Sequence, residues 1–69
     1  MLGTVEAVSL EKQVGLIVDE DGGSAIFRPS ELHGLTFNEQ LVGASVECLI
    51  LDREPWCIAF AIHAAGTQL

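Results

Sequence analysis

The chain has 69 residues, three Lys or Arg against ten Asp or Glu, a formal charge of −7 and 49% apolar residues. The apolar half excludes a disordered acidic tail, and the length allows one small domain that buries only roughly 60% of its unfolded surface. No apolar run reaches the roughly 18 residues of a membrane span, no basic stretch leads into an apolar block at the start, and two cysteines make no disulfide framework. The expected compartment is the cytoplasm, and Met1 fits a whole protein.

Short apolar runs punctuated by Gly and Pro predict an all-β domain. The first run covers residues 3–9 and the second 14–19, with the polar turn Leu10-Glu11-Lys12-Gln13 between them. Glu20-Asp21-Gly22-Gly23 is a hairpin signal, since acidic residues tolerate turn geometry and glycine supplies positive φ without a Cβ clash. The third run, 24–28, stops at Pro29, which has no N–H for a ladder. Ser30 to His33 predicts one helical turn closed by Gly34, and 35–43 a loop whose Phe37 and Leu41 fold back onto the core. Runs 44–51 and 56–63 flank Asp52-Arg53-Glu54-Pro55 as a second hairpin, and 64–69 reads as a frayed tail. Five short strands with a longer break after the third predict a small closed barrel, which also removes exposed sheet edges.

In that hairpin a four-residue loop would set Leu51 against Trp56, Leu49 against Ile58 and Ile50 against Cys57. One face would carry Leu49, Leu51, Trp56, Ile58 and Phe60, the other Val46, Cys48, Ile50, Cys57, Ala59 and Ala61. Neither face turns polar as a half-solvated strand should. Two explanations stand: barrel curvature shields the outer face, or that face meets a partner or a second copy.

This order of signals resembles the cold-shock domain, over residues 3 to about 62. Gly3-Thr4-Val5 looks like the family opening Gly-x-Val-Lys-Trp-Phe-Asn, and Glu11-Lys12-Gln13-Val14-Gly15-Leu16-Ile17 like Glu-Lys-Gly-Phe-Gly-Phe-Ile. Ala25-Ile26-Phe27-Arg28-Pro29-Ser30 stands in for Val-Phe-Val-His-x-Ser, with Leu32 and Gly34 after it. Asp21-Gly22-Gly23 sits at the family's second turn, Gly43-Ala44-Ser45-Val46 resembles Gly-Gln-x-Val, and Pro55 falls near the Gly-Pro before the last strand. The resemblance implies a five-stranded OB-fold barrel of 3–63, in a single domain of 1–69, that binds single-stranded RNA or DNA by stacking bases on exposed aromatics.

The departures fall on the binding residues. The family's stacking aromatics align with Ala7, Val8, Val14, Leu16 and Ile26, its histidine with Arg28 and the next aromatic with Pro29; Phe27 aligns with a family valine, and Glu6 replaces the opening lysine. Each base–aromatic stack is worth ~1–3 kcal/mol, so losing several removes on the order of 5 kcal/mol. Lys12, Arg28 and Arg53 are the only Lys or Arg residues available to phosphate.

The expected ligand face therefore comprises Ala7, Lys12, Val14, Leu16, Ile26, Arg28 and Trp56. Exposed aliphatics in place of stacking rings mark a protein contact or a homodimer surface, unless the loop 35–42 or the tail covers them. Trp56 is expected as a packing residue, with a displaced stacking platform as the alternative.

Other chemistry finds little footing. Cys48, Cys57, His33 and His63 lack the close ligand pairs of a zinc site, and the Asp19-Glu20-Asp21 run reads as a solvated hairpin tip rather than a calcium loop. Gly22-Gly23 is not followed by the Lys and Ser/Thr of a phosphate loop, and no nucleophile elbow is present. The reading is a non-enzymatic module without metal or cofactor and without membrane association, its single-stranded nucleic-acid binding weak or lost and its protein contacts favoured. In one variant the acidic surface imitates nucleic acid toward a basic partner. The alternative is a working single-stranded RNA or DNA binder; titration with oligonucleotides separates the two.

Overall fold

The computed structural model describes residues 1–52 and 56–66. Five strands, β1 (Leu2–Ser9), β2 (Val14–Asp19), β3 (Ser24–Phe27), β4 (Ser45–Asp52) and β5 (Cys57–Ala64), form a closed barrel in the order β1-β2-β3-β5-β4. The fold is thus all-β, a small five-stranded barrel of the OB-fold kind, as the spacing of the apolar runs predicts. β4 returns to β1 through the pairs Leu2–Glu47, Gly3–Val46 and Thr4–Ser45. β3 and β5 run parallel and meet at Ile26–Ile58. Farther along β5, His33 N–H donates to the Ile62 carbonyl at 2.7 Å.

The turns follow from the local sequence. Asp19 Oδ1 accepts from the N–H groups of Asp21 and Gly23 at 2.9 and 2.8 Å, which folds the β2–β3 hairpin around Gly22 at φ +86°. The acidic run at this tip therefore organises its own backbone. In the β1–β2 turn, Ser9 Oγ accepts from Lys12 N–H at 3.1 Å and the Gln13 side chain donates to the Leu10 carbonyl at 2.7 Å. Gln13 takes φ +55° there, a left-handed conformation that favours glycine.

Two bulges decide which side chains face inward. Val5 pairs with Ile17 but Ala7 with Leu16, so Glu6 is an extra residue in β1. Gly3 and Val5 point inward before it, whereas beyond it the inward residue is Val8 and Ala7 is exposed. In β5 the extra residue falls between Phe60 and His63, with Ala61 at φ +52°.

The core gathers Val5, Ile17, Ala25, Phe27, Leu41, Val46, Cys48, Ala59 and Ile62. Phe27 is its largest member, and Phe37 packs edge-on against it with ring centroids 6.0 Å apart and planes at 78°. Leu41 is buried and Leu35 packs against the core, so the loop after β3 folds back as expected.

Several details differ from the sequence expectation. The short helical turn is a 3-10 turn at Pro29–Glu31 rather than Ser30 to His33, because Pro29 has the φ of a first helical residue. A second 3-10 turn, Glu39–Leu41, is capped by the Asn38 side chain, which accepts from Gln40 N–H at 3.0 Å. The last hairpin pairs Leu51 with Ile58, Leu49 with Phe60, Ile50 with Ala59 and Asp52 with Cys57. It is shifted by two residues from the expected register, and an even shift leaves each side chain on its expected face. Trp56 precedes β5 instead of starting it, and the bulge puts Ile62, not Ala61, in the core. The barrel extends over 2–64, one residue beyond the expected 3–63 at each end, because Leu2 and Ala64 both pair with β4. Arg53 and Pro55, with most of the expected turn, and tail residues 67–69 lie outside the described residues.

Candidate binding face

The registers of four adjacent strand pairs place Ala7 opposite Leu16, Leu16 opposite Ile26, Ile26 opposite Ile58, and Ile58 opposite Leu51. One row of aliphatic side chains thus crosses all five strands on the outside of the barrel. It faces outward because its neighbours along the strands, Val8, Gly15, Ile17, Ala25, Phe27 and Ala59, are the ones that face the core. Leu51 is 43% exposed and Leu49, beside it on the same face, 57%. Barrel curvature therefore leaves this side of β4 open. Phe60, opposite Leu49, is half-buried on the same side.

Ala7, Val14, Leu16 and Ile26 line one shallow hollow of about 300 Å³. The four positions expected to share a surface are thus brought together. Residues 35–42 line no part of this hollow. Leu41, on that loop, goes into the core instead.

Val14 and Ile26 also line an adjoining cleft of about 240 Å³, whose wall includes Lys12, Arg28, Glu31 and Ile58. Lys12 stands in the β1–β2 turn and Arg28 just past β3, so both cations sit off the strand ends rather than on them. They are the described Lys and Arg residues of the chain, and neither side chain forms an ion pair among the described residues. Trp56, 61% exposed, lines neither hollow. Glu31 escaped the sequence reading, which placed Ile58 on the apolar face of the last hairpin but not beside Ile26. Ile58 joins Ile26 through the parallel closure of β3 on β5, and Glu31 reaches the cleft through the 3-10 turn that Pro29 starts.

Cys48 lies in the core, and burial pushes its thiol pKa up against the smaller opposing pull of the Met1 ammonium. Cys57 is half-buried and donates from Sγ to Asp52 Oδ1 at 3.0 Å. His33 is exposed, and His63 Nδ1 lies 3.2 Å from the Ala61 carbonyl. Among the described residues no three of His, Cys, Asp and Glu gather into a group able to hold a metal ion, and no helix is long and apolar enough to cross a membrane. No protein-family model matches the chain, and no curated protein matches it in sequence.

Proposed function

We propose that this protein is a non-enzymatic, cold-shock-like binding module whose outward sheet face serves protein contacts, with single-stranded nucleic-acid binding weak or lost. The observation that carries the reading is the aligned row Ala7, Leu16, Ile26, Ile58 and Leu51. Branched aliphatics offer a base no flat π surface, whereas a partner's apolar side chains bury well against them. The chain's charge of −7 further opposes a polyanion at long range. A second reading, a working single-stranded RNA or DNA binder, is favoured by the cleft that gathers Lys12 and Arg28 and by exposed Trp56.

The test titrates the protein with oligothymidine and oligouridine at low salt, following Trp56 fluorescence and backbone amide shifts. Silence to high micromolar concentration is the expected result. Saturable binding that weakens steeply with salt replaces the first reading by the second. Light scattering over a range of protein concentrations then separates self-association from contact with another protein.

A further inference from the structure

The two described Lys and Arg side chains of a strongly acidic chain open onto one cleft at the edge of the apolar row. We infer that the partner segment seated on this face carries an aspartate or glutamate flanked by aliphatic residues, its carboxylate held by Lys12 and Arg28 and its neighbours resting on Val14, Leu16 and Ile26. This rests on the protein-contact reading above. Charge complementarity selects the occupant. An isolated carboxylate matches two cations that have no ion-pair partner among the described residues, and Arg receives carboxylate oxygens in a fixed two-pronged geometry. Glu31 lines the same cleft. A peptide supplies backbone N–H donors to it, while the phosphates of a nucleic-acid chain set further negative charge beside it.

The backbone that carries both cations is held in place. The Lys12 backbone is tied to Ser9 Oγ at 3.1 Å, and the Arg28 carbonyl accepts from Glu31 N–H at 3.0 Å, which fixes both attachment points. Less ordering is then left to binding. The walls contributed by Val14, Ile26 and Ile58 are aliphatic, and the Phe27 ring behind them is 1% exposed, so a base entering the cleft finds no ring to stack on.

The experiment titrates the full chain, isotope-labelled, with Ac-Ala-Val-Asp-Leu-Ala-NH2, its Asn counterpart and octathymidylate. Amide shifts are read at Lys12, Gln13, Arg28 and Glu31. The Asp peptide is expected to saturate with a Kd about tenfold below that of the Asn peptide, the size of one charge-assisted contact. Lys12→Gln and Arg28→Gln should each erase that preference while leaving the rest of the spectrum in place. Equal Kd values for the two peptides, or no shift at these amides with the Asp peptide, overturn the inference; equal values leave the protein-contact reading standing. Saturable, salt-sensitive shifts with octathymidylate alone remove both.

Discussion

Gly15 and Phe27 face each other across the β2–β3 ladder, and the Phe27 ring fills the space where a Cβ at Gly15 would stand. This contact lets the largest core side chain lie close against a neighbouring strand. Gly15→Ala should therefore destabilise the fold by roughly 1–3 kcal/mol through overpacking. The check is a urea titration, in which the midpoint drops while the slope stays constant.

Ala61 and Gln13 both hold left-handed backbone. Ala61→Gly should stabilise by about 0.5–1 kcal/mol, because relief of the Cβ clash outweighs the extra freedom glycine brings to the unfolded chain. Gln13→Gly should gain less, since it also loses the bond to the Leu10 carbonyl. Thermal melts of the two variants decide the order; a lower melting temperature for Ala61→Gly contradicts the strain assigned to the bulge.

Burial raises the Cys48 thiol pKa above its ordinary value of 9.0. The folded state thus keeps a proton that the unfolded state gives up. The stability this contributes is complete below the unfolded value and is lost as pH rises from there through the folded value. Denaturation midpoints should fall on the alkaline side, and Cys48→Ala should flatten that limb. In native protein a disulfide reagent should also modify half-buried Cys57 before buried Cys48.

Ala7, Val14 and Leu16 open onto one hollow, with Ala7 directly opposite Leu16. Ala7→Trp, Val14→Phe and Leu16→Phe together should lay a stacking platform across β1 and β2. Each ring added is expected to contribute ~1–3 kcal/mol per stacked base, so oligothymidine affinity should rise by at least about tenfold. A folded triple variant that ignores oligothymidine would show that this face is not shaped for bases.

Much of the scaffold was legible in the sequence. Gly22-Gly23 after the acidic run marked one turn, Pro29 the end of β3, and the apolar runs gave all five strands to within one or two residues. An alternating pattern survives a two-residue slip, so the last hairpin kept its faces although its pairs were displaced. The bulges were not legible. Strict alternation along β1 would send Ala7 inward with Gly3 and Val5, and only the extra residue at Glu6 turns it out.

Composition and two-residue periodicity are local properties, and they were enough to mark a small acidic β domain with few Lys and Arg and with aliphatics along its strands. Lys12 and Arg28 come near each other already through the β2–β3 hairpin, beyond its Gly15–Phe27 pair, whereas the place of Ile58 in the row between Ile26 and Leu51 was set at long range. Ile26 and Ile58 lie 32 positions apart in the chain, and only barrel closure, with β3 parallel to β5, brings them together.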